Sequence, residues 1–460
     1  MTAPTLVQPP AATPLPACTL PMKPLLAAYG GPVPRYTSYP TAPHFGAGVD
    51  GAKVAGWLAE VPQGVEASVY LHLPYCKSLC LYCGCNMKVT NRMETISAYV
   101  DVLVEEMRRV AACLPRRLRV GAIHLGGGTP SYAPMPDLLR LFEVMRELFD
   151  VHKGAEISME MDPRQLPDGL PALMGSLGFV RASLGIQDTN LAVQEAIRRV
   201  QPQELNLRAV KLLREAGVKE INVDLLYGLP LQTPATMRRT VADMMELAPS
   251  RIALFGYAHV PWMKKHQAVL EQYDLPDAEA RMELWETAVE ALTAAGYEAV
   301  GIDHFCLPDD SMAVAAREGA LKRNFMGYTT DRLPVLLGFG ASAISQYSQG
   351  YAQNVTAPGE YMTAMEQGGL PVARGVGVTP DDVARRSVIE QLLCGMQAQG
   401  PGLAGLVAQP EKLDALVGDG VAVWEDGVLR ITPLGWPFAR VVASCFDAYV
   451  GQGGRFSRGV

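Results

Sequence analysis

From about residue 66 to residue 257, short β-branched runs alternate with helical patterns, and nothing else in the chain constrains its fold as strongly. The runs at 68–73, 122–125, 156–161, 181–186, 220–225 and 251–257 read as strands. Between them lie amphipathic stretches; in 95–114, Ile96, Tyr99, Val100, Leu103 and Met107 share one helical face. Pro136 sits in the first turn of a helix expected to run to about Phe149. Successive β–α units imply a parallel sheet with right-handed crossovers. Six units fall short of a closed eight-stranded barrel, so the expected core is a partial (β/α)6 TIM-like barrel over residues 67–300.

The flanks read differently. Residues 1–28 are Pro- and Ala-rich and aperiodic, as in a mobile segment. Residues 29–66 begin with YGGPVPRYTSYPTAPHF, a stretch without ladder or helix of its own that gains order only by lying on another surface. They are expected to form an N-terminal arm over the active site. A long helix pattern at 278–295 is closed by Gly296. Residues 301–348 are rich in Gly, Phe and Tyr, and residues 301–375 are expected to elaborate the edge of the site. Residues 376–460 read as a small, mostly helical domain, winged-helix-like, with helices at 381–396 and 436–450 and short strands within 413–432.

Hydrophobic residues make up 49% of the 460 and charged residues 19%, enough for a large core. A net charge of −7 argues against a general nucleic-acid binder but leaves room for a local basic pocket and an anionic substrate. No apolar run approaches the roughly 20 residues needed to span a bilayer. The first residues lack a cationic signal-peptide start. A cytoplasmic protein without membrane insertion is expected.

Four of the nine cysteines, Cys76, Cys80, Cys83 and Cys85, lie close together just past the first strand. The other five (Cys18, Cys113, Cys306, Cys394, Cys445) are scattered and read as small buried hydrophobes. An odd count in a chain of this length does not read as a disulfide framework. The spacing Cx3CxxC supplies three thiolates from one loop. On a 4Fe–4S cluster that leaves one iron open to chelate S-adenosylmethionine, whose reductive cleavage yields a 5′-deoxyadenosyl radical. The rival is a zinc site completed by Cys85, although zinc sites usually draw two ligands from each of two hairpins.

Polar residues mark the ends of the other expected strands. His124 and the GGGTP run at 126–130 follow the second, Glu160 closes the third, Gln187 the fourth and Asp224 the fifth, while Ala258 and His259 follow the sixth. Each alone is explained by a turn or a cap. Together they fall where β–α barrels build their sites. There is no GxxxxGK[ST], GxSxG or HExxH motif.

With these residues in view, the chain resembles the oxygen-independent coproporphyrinogen III oxidase family of radical S-adenosylmethionine (SAM) enzymes, from about Tyr29 to at least Arg386. The specific pieces are PRYTSYPTA at 34–42, the CxxxCxxCxC run, GGGTP, EMDPR at 160–164, GIQD at 185–188, NVDLLYGLP at 222–230, YAHVP at 257–261 and REGALKRNFMGYTT at 317–330. Gln165 departs mildly, standing where an acid is expected. The resemblance implies that Cys76, Cys80 and Cys83 ligate the cluster and that two SAM molecules bind. Tyr70, Gly127, Glu160 and Ile344 would contact the one on the cluster, Tyr70 counting with the cysteines as catalytic. Tyr82, Gly128, Thr129, Gln187, Arg199, Asp224 and Ala258 would contact the second. The implied reaction turns two propionates of coproporphyrinogen III into vinyl groups, giving protoporphyrinogen IX. It needs an electron donor of flavodoxin or ferredoxin type and an electron acceptor, and a monomer is expected. Arg35, Lys322 and Arg323 are candidates for the substrate carboxylates. Two rival readings remain beside this one: a heme-binding chaperone on the same fold, and a radical enzyme acting on heme.

Overall fold

The computed structural model describes residues 22–451, which fall into two compact units. The larger comprises residues 39–291 and 331–383. Its strands are β1 (Glu66–Leu73), β2 (Arg119–Gly127), β3 (Asp150–Met161), β4 (Phe179–Gln187), β5 (Glu220–Tyr227), β6 (Arg251–Gly256), β7 (Val335–Phe339), β8 (Ile344–Tyr347), β9 (Gly350–Asn354) and β10 (Val372–Gly377). Within this unit the sheet runs β10-β9-β8-β7-β1-β2-β3-β4-β5-β6. Strands β1 to β6 are consecutive, parallel neighbours, each expected from the sequence and most found longer. Their crossovers are α1 (Met93–Cys113), α2 (Met135–Leu148), α3 (Leu170–Leu177), α4 (Gln203–Glu215) and α5 (Pro234–Leu247). This is the partial (β/α)6 barrel.

The local chemistry explains the elements. β1 alternates little and is buried at most positions, as a strand covered on both faces must be. α1 buries Ile96, Tyr99, Val100, Leu103, Met107 and Val110 in one stripe against the sheet. Each such large side chain contributes about 1.5–3 kcal/mol on burial. α3 ends at Gly178, whose φ of +89° supplies the left-handed cap, and α5 opens with a Thr233–Thr236 capping box followed by Pro234.

The sheet does not stop at β1. β7 adds to it in parallel, and β8, β9 and β10 continue it antiparallel, so the expected edge elaboration carries strands, with a helix at Pro358–Glu366 between β9 and β10. The arm is likewise divided. From Tyr39 onward it belongs to this unit, where Gly46 exchanges backbone hydrogen bonds of 2.8 and 2.9 Å with Gly375 on β10, and Gly51–Ala59 is helical.

The smaller unit joins residues up to Ser38, 292–330 and 384 onward. The expected boundaries at 28/29, 300/301 and 375/376 are therefore crossed. Residues 1–21 of the expected mobile segment lie outside the described residues, and Met22–Tyr29 is a helix that buries Leu25 and Leu26. Tyr36 Oη donates to Asp447 at 2.9 Å and Trp436 Nε1 to the Gly301 carbonyl at 2.9 Å, tying these stretches together. The stretch 413–432 is partly helical (Pro410–Gly418), then a hairpin, Ala422–Glu425 with Val428–Ile431, turned by Asp426 and Gly427 at φ +50° and +79°. Gln397–Ala398 completes a three-stranded sheet. The helix expected to reach residue 450 is shorter: a 3-10 turn at Trp436–Phe438 leads into Ala439–Ser444. Beyond it, Asp447 turns its carboxylate to Tyr36 and to the backbone of Tyr449, which favours a turn over another helical layer.

Candidate functional site

The cysteine loop leaves β1 at Leu73 and is stitched to the turn after β2. Gly128 N donates to Leu73 O and Thr129 N to Tyr75 O, both at 2.9 Å. Two residues of the loop, Tyr75 and Cys76, pair in parallel with Lys88 and Val89 as the chain returns. The GGGTP glycines are demanded by closeness. A Cβ on Gly127, whose φ is +118°, would stand 2.7 Å from the His72 ring; one on Gly126 would stand 2.9 Å from the Tyr70 ring and 3.1 Å from the Glu160 carboxyl.

Each cysteine has a different setting. Cys76 Sγ lies 3.2 Å from Thr129 Oγ1, and burial pushes its thiol up to about 12. Cys80 Sγ receives Arg164 Nη2 at 3.4 Å and Arg199 Nη1 at 3.6 Å. Asp162 holds both guanidiniums, at 2.6 and 3.2 Å. Burial pushes the Asp162 carboxyl up, but the Arg199 and Arg164 charges outweigh it and hold it below the usual range. The Cys83 thiol is drawn down to about 7, chiefly by its hydrogen bond with Cys85, while the same contact raises Cys85. The backbone of the loop is gripped from the chain after β6: Gln267 Nε2 donates to Tyr82 O at 2.8 Å and Lys264 Nζ to Cys85 O at 2.7 Å, while His266 Nε2 bonds Cys83 O at 2.8 Å.

On the β1–β3 side, Tyr70 Oη bonds His72 Nδ1 at 2.9 Å and stacks on His124. His124 lies 2.8 Å from Ser158 Oγ and 3.6 Å from the Glu160 carboxylate, which also accepts Gly127 N at 3.0 Å. Burial alone would raise Glu160; the His124 hydrogen bond and charge and the Gly127 N–H bring it below its ordinary value, so it carries a charge. On the β4–β6 side, Gln187 is buried at φ +73°. Arg199 donates to Gly185 O, and Asp224 accepts Asn222 Nδ2 at 2.9 Å and Ser183 Oγ at 3.2 Å. Ala258 follows β6, half-buried, and Ile344 opens β8, half-buried. Glu160 and Gln187 stand in the last two residues of β3 and β4 as expected, whereas β5 runs three residues past Asp224, which therefore lies inside the strand rather than closing it. Sequence reasoning did not single out Asp162, Arg164, His72 or the Lys264–Gln267 segment as parts of the site. The DPR run two residues beyond Glu160 was the available signal for the first two.

The donor set suits a cluster. All eight described cysteines are free thiols. A four-iron cluster takes one thiolate on each of three irons, and Cys76, Cys80 and Cys83 offer three free thiols from one loop. Buried Arg199 Nε and Asn222 Oδ1 have no hydrogen-bond partner among the described residues, as polar atoms waiting for a ligand would.

In the smaller unit, two of the carboxylate candidates have internal work. Lys322 Nζ pairs with Glu390 at 2.9 Å. Arg323 lies over the Tyr328 ring at 4.7 Å and donates to Arg35 O at 3.2 Å. Both contacts favour a structural role over substrate capture.

A parallel β–α sheet with a three-cysteine loop at the end of its first strand defines a radical SAM protein, and the Radical SAM superfamily model matches residues 70–244. An oxygen-independent coproporphyrinogen III oxidase of Bradyrhizobium diazoefficiens is 44% identical over 93% of this chain and 97% of its own, and that of Salmonella typhimurium is 37% identical over 94% and 96%. The solved coproporphyrinogen III oxidase of Escherichia coli, a radical SAM enzyme, superposes with a TM-score of 0.86 at 35% identity, covering 90% of this chain and 98% of that one. The chain belongs to the oxygen-independent coproporphyrinogen III oxidase family, whose cofactors are a 4Fe–4S cluster and SAM.

Proposed function

We propose that the chain converts coproporphyrinogen III to protoporphyrinogen IX without oxygen, by oxidative decarboxylation of two propionates to vinyl groups. Cys76, Cys80 and Cys83 hold the cluster. With SAM bound, the cluster would supply the radical chemistry that the propionate side chains require.

The protein's own part is binding, orientation and charge. The Arg164 and Arg199 guanidiniums neutralise sulfur charge at Cys80 and are themselves fixed by Asp162. Ionised Glu160, with Tyr70, Gly127 and Ile344, receives the SAM on the cluster; a carboxylate is the partner an α-ammonium group needs. Burial keeps the Tyr70 phenol neutral, so it remains a donor. Tyr82, Gly128, Thr129, Gln187, Arg199, Asp224 and Ala258 receive a second SAM. The unpartnered Arg199 Nε suits a carboxylate there. The electron donor is of flavodoxin or ferredoxin type, a separate acceptor takes the electron that leaves with decarboxylation, and the protein works as a cytoplasmic monomer. No helix among the described residues is long and apolar enough to cross a membrane.

The observation that carries this reading is the loop of three thiols tied to the GGGTP turn at the sheet's end, in a chain aligned with its relatives over nearly their whole length. Anaerobic turnover with coproporphyrinogen III, reductant and SAM tests it. Protoporphyrinogen IX and 5′-deoxyadenosine should accumulate together. Stoichiometric heme binding without turnover would replace it with the chaperone reading.

A further inference from the structure

The chain as a whole is acidic, with 40 Lys and Arg against 47 Asp and Glu. The cysteine loop and the segment that grips it are the opposite. Residues 67–93 and 258–270 contain Lys77, Lys88, Arg92, Lys264 and Lys265 and no acidic side chain. The two segments form one surface, because Lys264, His266 and Gln267 bond the carbonyls of Cys85, Cys83 and Tyr82. Lys88 and Val89 lie beside Tyr75 and Cys76 in the parallel bridge. Lys77, Lys88, Arg92 and Lys265 are exposed. Glu271, the first acid beyond the second segment, is engaged by His259 at 3.1 Å.

Large apolar side chains stand in water on the same segments: Val89 is 41% exposed, Trp262 49% and Met263 66%. Apolar groups ringed by charge of one sign mark a contact surface. Cations at its rim steer a partner of opposite charge and suppress others. Resting on the reading that this loop holds the cluster, we propose that the face docks an acidic, low-potential, one-electron carrier protein. The carrier is oxidised by one electron and the cluster reduced by the same electron; no atom is transferred. The segment 264–267 holds the backbone of the cysteine loop, so a carrier on this face would meet the loop that bears the cysteines.

The test uses the full-length, anaerobically reconstituted protein, with reduced flavodoxin as the probe and dithionite as the small-molecule control. Lys88→Glu/Lys265→Glu reverses charge at two exposed sites outside the cofactor machinery, and Met263→Glu places a charge in the apolar centre. Each should raise the Kd for flavodoxin about tenfold or more and slow flavodoxin-driven cluster reduction in proportion. The double variant should also flatten the salt dependence of binding. Iron content and turnover with dithionite should match the parent. Unchanged flavodoxin binding and reduction in both variants of an iron-loaded, dithionite-active protein overturn the docking face alone. So does a raised KM for coproporphyrinogen III with dithionite as donor and flavodoxin binding intact, which gives the face to the tetracarboxylate substrate. A parent that takes up no iron overturns the cluster assignment and this proposal with it.

Discussion

Arg199 reaches the Cys80 sulfur with Nη1 at 3.6 Å, and the same nitrogen stands 3.2 Å from Asp162. One buried cation thereby links the cysteine loop after β1 to the end of β3 and, through Gly185 O, to β4. Asp162→Asn removes the charge between two guanidiniums. Breaking a buried pair from one side costs about 3–5 kcal/mol. The urea midpoint of the cluster-free protein should fall accordingly, and SAM affinity should weaken. An unchanged midpoint would show that Arg164 and Arg199 do not depend on Asp162.

The cysteines should respond unequally. Cys80→Ser loses iron and activity. Cys85→Ser keeps the cluster, because three ligands suffice and its thiol contacts Cys83 rather than completing a fourth ligand site. Iron and sulfide analysis of both variants, with turnover assays, checks this; an iron-loaded, active Cys80→Ser protein contradicts the ligand assignment.

Gly127→Ala puts a methyl group 2.7 Å from the His72 ring at a φ of +118°. Backbone strain of this kind costs about 1–3 kcal/mol. His72 cannot yield without disturbing its bond to Tyr70 Oη. The variant should stay folded with a lowered Tm and lose SAM binding, read by equilibrium dialysis on the cluster-loaded protein.

Glu106 on α1 gives a pH signature. Burial raises its carboxyl to about 7 from 4.5, although Tyr361 Oη at 2.6 Å, Gly340 N at 2.7 Å and Asn354 Nδ2 at 2.6 Å all favour the ionised form. The folded state therefore binds the proton more tightly than the unfolded chain. Stability falls as pH rises from the unfolded value through the folded one, and the loss is complete above about 7. The Tm difference between Glu106→Gln and the parent should move in the variant's favour between about pH 5 and pH 7, an effect worth a few kcal/mol at most. A difference independent of pH would show that Glu106 titrates as an ordinary carboxylate.

Much of this was legible in the sequence because its signals are local. β-branched runs gave the six strands β1 to β6, and α1, α2 and the 278–294 helix lie within two residues of their patterns. The strand-end rule singled out Glu160, Gln187 and Asp224 as candidates because a parallel strand buried on both faces meets solvent only at its ends. What stayed hidden depends on contacts distant in sequence. β7 to β10 lie in the stretch expected to edge the site, and it is pairing rather than periodicity that makes them sheet, parallel between β7 and β1 and antiparallel from β7 to β10. Met22–Tyr29 is too short to announce a helix. Arg323 read as a candidate for the substrate carboxylates because nothing local shows that Tyr328 lies beneath it.

The central claim is that one iron of the cluster lacks a protein ligand and is open to SAM. Electron paramagnetic resonance of the reduced, anaerobically reconstituted protein, with and without SAM, tests it most directly. The signal should be that of a 4Fe–4S cluster and should change on adding SAM, as the open iron gains ligands. A spectrum indifferent to SAM, or protein carrying stoichiometric zinc instead of iron, would contradict it.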